Sequence, residues 1–320
     1  MSRQPLVSVL IPAFEVADVL PTALLSVLNQ TLDDLEVIVI DDASGDGTFA
    51  AAQAFVNRDR RVRVLRAERN GGPGAARSLG LAAARGEWVA ILDADDVFRP
   101  ERLEHLLAVT EQHQLDAVAD NLDLVDAGVG RVVGRALPLD PGALEMLDPM
   151  RFLANSVPAG RVNIGWIQPV VRREFLERHD VTWRDLRHAE DLVFAMEILL
   201  AGARFAVTGY AGYAYTQRRG SISGIASRHS RTRRSASEQI RALDELEGRC
   251  AAALTPTLRH RIARMKIEIE TASHLLDARD HAADGRAVAA AASVAAALAS
   301  PRALAACLMA RYGPRARRLC

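Results

Sequence analysis

Hydrophobic residues in the first hundred positions form short continuous runs, and the segments between those runs carry apolar residues three or four positions apart. Short apolar runs rich in β-branched residues are typical of strands buried on both faces. Such runs predict strands over residues 6–14, 35–42, 62–65 and 87–93. The helical spacing predicts helices over residues 17–29, 46–56 and 74–84. Strands that alternate with helices predict a parallel sheet covered by helices on both faces.

The pattern changes twice further along the chain. Between residues 115 and 225 it predicts mixed elements: a strand pair around Gly128, a strand and helix over 167–179, a helix over 190–202, and strands with a loop over 204–223. From residue 226 onward, Ala, Arg and Leu at helical spacing predict three or four helices with breaks near Pro256, Gly285 and Pro301. We therefore predict two regions, 1–225 and 226–320.

Composition and apolar patterning argue against several classes of protein. The 320 residues are 49% hydrophobic, and 40 basic against 40 acidic residues give a formal net charge of +0, which offers no case for general nucleic-acid binding. The three cysteines are too widely spaced for a metal-ligand pattern or a disulfide framework. Pro12 and Glu15 interrupt the N-terminal apolar run, so it is a poor signal peptide, and no stretch reaches the roughly 20 apolar residues of a spanning helix. We expect a cytoplasmic protein.

Three carboxylates, Asp93, Asp95 and Asp96, follow the strand predicted over residues 87–93. They repel one another unless a positive group lies among them. Asp93 and Asp95 could bind Mg²⁺ or Mn²⁺ together with substrate phosphates, because these ions accept one or two carboxylates plus phosphate oxygens. Alternatively, the acidic residues only cap the helix predicted over residues 100–113.

Two other motifs follow predicted strands. The acidic one lies, like Asp93, at the edge beyond the carboxyl ends of the strands, where ligands of open sheets bind. Asp41 and Asp42 end the second strand, where a carboxylate can accept hydrogen bonds from a ribose or a base. No GxGxxG follows the first strand, which argues against a dehydrogenase. The glycine-rich stretch NGGPGAARSLG over residues 70–80 opens a helix and carries Arg77, a combination that can bind an anion or form only a turn. We expect Asp46 to be a helix N-cap.

Glu190 and Asp191 open the helix predicted over residues 190–202. Acidic residues in a first helical turn interact favourably with the helix dipole, which is one explanation of this pair. The other is a general base that faces the acidic cluster across a cleft.

In this order, the motifs resemble those of family 2 glycosyltransferases with the GT-A fold. The segments that carry the resemblance are VSVLIPAFE, LLSVLNQTLDDLEVIVIDDASGDGT, NGGPGAARSLGLAAARGEWVAILDADD and the later ED. The resemblance covers residues 1–225 and points to bacterial exopolysaccharide enzymes of the succinoglycan ExoO and ExoU type. It implies an α/β, Rossmann-like, mostly parallel sheet with helices on both faces, followed here by the C-terminal helical region.

The resemblance also implies roles for individual residues. Asp93 and Asp95 are similar to the DXD pair that holds a divalent metal, Mg²⁺ or Mn²⁺, on the donor diphosphate, and Asp191 matches the catalytic base. The uridine-like part of the donor would lie against Asp42. Residues implied to line the nucleotide-sugar site are Pro12, Phe14, Glu15, Asp42, Arg77, Asp93 and, from a late loop, Arg218, Arg219 and Ser221.

The implied reaction is an inverting, metal-dependent transfer of a sugar from a nucleotide donor, UDP-linked, to a saccharide acceptor that is lipid-linked. The QxxRW motif of processive synthases is absent, which favours one sugar per acceptor. One alternative is a non-catalytic nucleotide-sugar-binding or scaffold protein of a polysaccharide assembly complex. A sugar nucleotidyltransferase is a second alternative, but it would carry a GxGTR-like loop where this chain has PAFEVAD.

Basic residues are concentrated in the C-terminal region. Residues 228–266 and the ending RYGPRARRLC could attract the chain to an anionic membrane surface, so peripheral contact with the inner membrane face is one expectation. The alternative is an ordinary solvated helix face.

Overall fold

The computed structural model describes residues 4–156, 165, 167–186, 188–217, 228–283 and 285–298, with residues 228–235, 276, 280, 283 and 298 described by backbone alone. These residues form two compact units. The first comprises residues 4–148 and 167–217, and the second comprises residues 149–156, 165 and 228–298. The boundary that we predicted near residue 225 lies outside the described residues, so it stays a proposal.

All described strands belong to one sheet of the first unit. They are β1 (Val7–Ala13), β2 (Leu35–Asp41), β3 (Val62–Arg66), β4 (Trp88–Ile91), β5 (Val97–Phe98), β6 (Ala117–Asp126), β7 (Arg131–Arg135), β8 (Leu144–Met146), β9 (Val170–Arg172) and β10 (Phe205–Gln217). The helices of this unit are α1 (Leu20–Leu28), α2 (Thr48–Val56), α3 (Pro73–Ala83), α4 (Arg102–His113), α6 (Arg173–Arg178) and α7 (Glu190–Leu200), and the second unit contains α5 (Pro149–Asn155), α8 (Arg228–Arg249), α9 (Pro256–Ala283) and α10 (Ala287–Leu298).

The strand order is β3-β2-β1-β4-β9-β6-β10-β5, with β7 beside β6 and β8 beside β10. The long pairings, β1 with β2, β2 with β3 and β6 with β10, are parallel, and the antiparallel pairings that involve β5, β7, β8 and β9 are short. Every residue of β2 and β4 is buried, as expected of strands covered on both faces. The predicted mostly parallel α/β sheet is confirmed.

The strand register brings the candidate residues to one edge of the sheet. Ala13 at the end of β1 pairs with Asp41 at the end of β2, and Leu10 pairs with Ile91 at the end of β4. The carboxyl ends of parallel strands point the same way, so Asp42 and Asp93, which follow β2 and β4, lie on the same edge. Ligands of open α/β sheets bind beyond this edge.

Two glycines seat α3 against its surroundings. A Cβ atom at Gly80 would approach Cδ1 of Ile40 to 2.7 Å, and one at Gly74 would approach the backbone oxygen of Arg184 to 2.0 Å. The backbone at Arg184 cannot yield cheaply, whereas the end of the Ile40 side chain would have to shift. The absence of side chains at both glycines therefore lets α3 pack directly on the sheet and on the segment before α7. This close packing fixes the helix that carries Arg77.

Most predicted elements of the first unit are confirmed to within a few residues. Residues 204–223 were predicted as several strands and a loop, but Phe205–Gln217 is one long strand with a register shift between Thr208 and Tyr213. The short elements β5, β8 and α5 were not predicted, because two to seven residues carry too little periodicity. Asp46 lies one residue before the N-cap of α2 and accepts the N–H of Thr48 at 2.9 Å, so it satisfies a first-turn donor without being the N-cap itself.

The second unit contains the helices predicted from the Ala, Arg and Leu spacing. The breaks expected near Pro256 and Gly285 are confirmed, and the one near Pro301 lies outside the described residues. Several basic side chains are paired inside the unit: Arg261 and Arg264 with Glu268, Lys266 with Asp244 and Glu247. Within the described residues, no helix combines the length and apolar character that crossing a membrane requires.

Candidate active site

The acidic turn after β4 is tied to β10. The N–H of Asp96 donates to the carbonyl of Asp93 at 3.0 Å, which closes a tight turn. The hydroxyl of Tyr213 on β10 donates to Asp96 at 2.8 Å and accepts the N–H of Asp93 at 3.1 Å. The backbone N–H of Thr216 donates to the other oxygen of Asp96 at 2.7 Å. Asp96 therefore anchors the turn to a neighbouring strand.

This anchoring corrects one of our predictions. Asp96 does not cap the helix predicted over residues 100–113, because α4 begins at Arg102 and the N-cap position is Glu101. Asp96 is instead 2% exposed, and burial raises its pKa, with the negative charges of Asp93 and Asp95 raising it further.

The positive group among the carboxylates is Arg77. Its guanidinium donates to Asp93 at 2.7 Å, to Glu190 at 2.9 Å and to Asp191 at 2.7 Å. The Arg77 side chain is only 3% exposed. Burial disfavours its charge, but the charges of Asp191, Asp93 and Glu190 more than offset burial and raise its pKa. The glycine-rich motif and the two acidic motifs thus meet at one ion-pair network.

Asp191 occupies the first turn of α7 and keeps 23% of its side-chain surface exposed. Burial is the largest cause that raises its pKa, to about 7. The guanidinium of Arg77 lowers this pKa, whereas the charges of Glu190 and Asp93 raise it. A carboxyl that titrates near neutral pH and still reaches solvent has the properties of a general base.

Gln168 makes a second link between the same two acids. Its side-chain nitrogen lies 3.4 Å from Oδ2 of Asp93 and 3.4 Å from Oδ2 of Asp191. Gln168 itself is buried, at 4% exposure. Gln168 and Tyr213 were not predicted, because their contacts join positions 75 and 120 residues apart and no local sequence pattern encodes them.

Asp42 belongs to the predicted nucleotide-binding part of the site. Its two carboxylate oxygens accept the N–H groups of Gly71 and Gly72 at 2.9 and 2.8 Å. Gly72 is the N-cap of α3 and has a φ of 86°, which glycine adopts readily. Asp42 therefore fixes the start of the helix that carries Arg77. Its contact with a nucleotide stays a prediction.

The other predicted nucleotide-site residues take different environments. Pro12 is half-buried, whereas Phe14, at 44% exposure, and Glu15 are exposed beyond the end of β1. Arg77 is committed to three carboxylates, so its contact with a nucleotide also stays a prediction. Arg218, Arg219 and Ser221 lie outside the described residues.

Left-handed backbone conformations border this edge of the sheet. Glu15 after β1, Ala43 after β2 and Ala189 before α7 have φ values of 52°, 58° and 62°. For residues with a side chain this conformation costs roughly 1–2 kcal/mol each. Strain of this kind is concentrated at functional sites, where surrounding contacts hold it in place.

A divalent metal would find two carboxylates here. Asp93 is 29% exposed on its side chain and Asp95 is half-buried. Among the described residues, no group of three or more His, Cys, Asp or Glu side chains is arranged to hold a metal. Mg²⁺ and Mn²⁺ sites of the kind completed by substrate phosphates need only one or two carboxylates, so Asp93 and Asp95 fit that kind of site.

Comparison with known proteins identifies the family. The model described as Glycosyl transferase family 2 matches residues 8–161. The chain is 32% identical over 286 residues to the succinoglycan biosynthesis protein ExoU of Rhizobium meliloti, covering 88% of this chain and 81% of ExoU. The chain belongs to glycosyltransferase family 2. The glycosyltransferase also matches ExoO of the same organism, at 36% identity over 227 residues, 70% of this chain and 64% of ExoO.

Solved structures place the fold. TarS of S. aureus, solved in complex with UDP-GlcNAc, aligns with a TM-score of 0.62 at 20% identity and covers 89% of each chain. The mannosyltransferase PcManGT of Pyrobaculum calidifontis, solved with GDP-Man and Mn²⁺, aligns with a TM-score of 0.54, covering 96% of this chain and 81% of its own. These likenesses confirm the GT-A fold of this glycosyltransferase.

Proposed function

We propose that this glycosyltransferase moves one sugar from a nucleotide-sugar donor, UDP-linked, to a hydroxyl of a saccharide acceptor with inversion at the anomeric carbon. The observation that supports it most is the joining of Asp93 and Asp191 by one buried guanidinium. This arrangement places Asp93, the carboxylate proposed to face the donor, next to Asp191, the base proposed to face the acceptor. A direct displacement needs both groups at one site, because the acceptor hydroxyl and the leaving diphosphate flank the same carbon.

The residues divide the work as follows. Asp191 accepts the proton of the acceptor hydroxyl, which attacks the anomeric carbon from the face opposite the leaving diphosphate. Arg77 holds Asp191 in place on the first turn of α7, and Glu190 in the same turn pairs with the same guanidinium. Because a base must be ionised to accept a proton, a pKa near 7 suits Asp191 to work around neutral pH.

We propose that Asp93 and Asp95 hold Mg²⁺ or Mn²⁺ on the donor diphosphate. When bound, the metal would neutralise the negative charge that develops on the leaving diphosphate. Asp96 keeps both carboxylates at the sheet edge through its bonds to Tyr213 and Thr216. On the nucleotide side, the proposal assigns the uridine-like part to Asp42, beside Pro12, Phe14 and Glu15.

The names of ExoO and ExoU support a place in exopolysaccharide biosynthesis. The chain spans 64% of the length of ExoO, so the acceptor is a proposal of its own: a lipid-linked oligosaccharide at the inner membrane face. In this proposal the protein works in the cytoplasm, residues 1–225 form the catalytic domain, and residues 226–320 form an accessory helical region.

A donor panel tests the proposal. UDP and GDP release should be measured for a set of nucleotide sugars with a saccharide acceptor, in Mn²⁺ and in EDTA. We expect release with one donor in Mn²⁺, its loss in EDTA, and its loss in Asp95→Ala with the fold intact. Full activity in EDTA would contradict the metal, and tight donor binding without any release would favour the non-catalytic alternative.

A further inference from the structure

Two active-site carboxylates are linked twice. The guanidinium of Arg77 donates at 2.7 Å to Oδ1 of Asp93 and at 2.7 Å to Oδ1 of Asp191. The side-chain nitrogen of Gln168 lies 3.4 Å from Oδ2 of each acid. An ionised carboxylate only accepts hydrogen bonds, so the Gln168 amide has to present its NH₂ group to them. The four side chains form a closed ring.

The backbone of Gln168 is anchored independently of this ring. Its carbonyl oxygen accepts a hydrogen bond from Arg102 at 2.8 Å. Arg102 is paired with Asp120 at 2.7 Å, and neither side chain has exposed surface. Asp120 also accepts the N–H of Gly212 on β10 at 3.0 Å. The backbone from which the Gln168 side chain extends is therefore held in place by contacts to the sheet.

The amide of Gln168 has an energetic reason to face the acids. Burying an amide costs free energy unless it is hydrogen-bonded, and bonds to an ionised acceptor are about twice as strong as neutral ones. At 3.4 Å the two contacts are long. Hydrogen bonds of catalytic groups are commonly long without substrate and shorten when the reactants bind.

We propose that Gln168 is a positioning residue that, together with Arg77, fixes the carboxylate of Asp191 relative to Asp93. The inference rests on the proposed function of the site. Asp93 sets the place of the donor diphosphate and Asp191 that of the acceptor hydroxyl, so their spacing decides whether the reacting atoms meet in line. A misplacement of about 1 Å can cost about 10²-fold in rate. Gln168 lies beyond residues 8–161 and outside every motif of the resemblance.

A second buried glutamine provides a matched control. Gln30 has the same exposure as Gln168, at 4%. Its amide donates to the carbonyl oxygens of Ser26 and Arg99 and accepts the N–H of Leu103, so its partners are backbone groups rather than acids of the site. Replacing Gln30 changes the stability of the fold without touching the ring.

The first experiment compares Gln168→Met with Gln30→Met, since methionine keeps the length of glutamine and removes both donors. We expect Gln168→Met to lower kcat by roughly 10- to 100-fold, with the donor KM and UDP affinity nearly unchanged. Gln30→Met should lower the free energy of unfolding and leave kcat unchanged. A Gln168→Met variant with wild-type kcat, or one whose kcat loss is matched by Gln30→Met, would overturn the proposal.

A double-mutant cycle then shows whether Gln168 acts through Asp191. Effects of residues that work as a unit are not additive. We therefore expect Gln168→Met to cost little further rate in an Asp191→Asn background. An additive loss in the double variant would mean that Gln168 acts elsewhere.

The same measurements separate this proposal from the function on which it rests. A wild-type protein that transfers no sugar overturns both. An active wild type, an inactive Asp191→Asn and a fully active Gln168→Met keep the proposed function and remove the positioning role alone.

Discussion

Asp191 has to be deprotonated before it can act as a base, and burial raises the pKa of this carboxyl. Because its pKa is raised to about 7, the protonated and inactive form dominates below neutral pH. We expect kcat/KM to fall tenfold per pH unit below about pH 7 and to level off above it. A profile with its acidic limb near the usual aspartate value of about 4 would contradict this assignment.

Replacing Asp191 should affect turnover rather than binding. Asp191→Asn keeps the shape of the side chain but does not accept a proton at neutral pH, so kcat should fall by at least about 10²-fold with UDP affinity nearly unchanged. Asp59→Asn is the matched control, because Asp59 is 25% exposed on its side chain, close to the exposure of Asp191, and its partner is Arg61 rather than a residue of the site. If Asp191→Asn turns over normally, Glu190 is the next candidate.

Arg77 stabilises the fold as well as the site. Arg77→Ala leaves Asp93, Glu190 and Asp191 without their shared cation, and removal of one partner from a buried ion pair costs about 3–5 kcal/mol. The charge of Arg77 lowers the pKa of Asp191, so this pKa would rise further without it. Stability conferred by a raised pKa is present at low pH and lost as the pH rises through the folded-state value, so the deficit should be smaller at about pH 5 than at about pH 8.

Urea unfolding at both pH values measures this effect. Arg99→Ala is the matched control, since the Arg99–Asp123 pair is 45% exposed on the arginine side and contributes at most about 1 kcal/mol. Equal losses in the two variants, or a deficit in Arg77→Ala that grows on acidification, would contradict the role of Arg77 as counter-charge.

The sequence singled out the acids of the candidate site, whose roles stay predictions, but not the contacts that join them. Asp93, Asp95 and Asp191 were predictable, because each stands at a recognisable strand end or helix start. Arg77 was predicted near the nucleotide, and its triple pairing with carboxylates was not. Pairing of this kind depends on how α3 and α7 pack, which residue order alone does not express. For the same reason, the contacts of Gln168 and Tyr213 were not predicted.

At the level of elements, the packing of α3 controls the position of Arg77. Gly74→Ala would bring a Cβ atom to 2.0 Å from the carbonyl oxygen of Arg184, and backbone cannot yield cheaply there. We expect this variant to unfold at a clearly lower urea concentration and to lose transfer activity, because α3 has to move away from the segment before α7.

Gly248→Ala controls for the chemistry of the substitution. Gly248 is also helical, and a Cβ atom at that position meets nothing within 4 Å. Gly248 lies in the last turn of α8, where alanine gains at most the roughly 1 kcal/mol over glycine of a helix interior, so this variant should be unchanged or slightly more stable. A Gly74→Ala variant that matches Gly248→Ala would show that α3 is not held in this way.

Elements were predicted best where pattern and length agree. The buried runs of β1, β2 and β4 and the helices between them came directly from the sequence. The insertion of β9 between β4 and β6, and the continuity of β10, did not. Strand order results from pairings between distant segments, and short strands carry no periodicity of their own.

At the level of the whole molecule, the C-terminal region bears on how the protein would reach the lipid-linked acceptor that we propose. Arg261, Arg264 and Lys266 already pair with acids of their own unit, so little of their charge is left for a membrane. The ending at residues 311–320 lies outside the described residues and carries four arginines. Each basic residue near an anionic leaflet contributes about 1 kcal/mol, which salt screens.

Vesicle co-sedimentation tests that attraction. We expect binding to anionic vesicles that falls with added salt and weakens when residues 311–320 are removed. Vesicles of neutral lipid are the control. Equal and negligible binding to both kinds of vesicle would leave the C-terminal region with a packing role alone.

The hydrogen bonds that complete the site span long stretches of sequence, 113 and 114 residues from Arg77 to α7 and 120 residues from Asp93 to Tyr213. A ribosome delivers roughly 5–20 residues per second, so the acidic turn leaves it many seconds before its partners do. During that interval the turn of Asp93, Asp95 and Asp96 has been synthesised, whereas β10 and α7, which restrain it, have not. For that interval the nascent chain contains β1 to β4 but neither α7 nor β10, so the ion-pair network of the site cannot yet form.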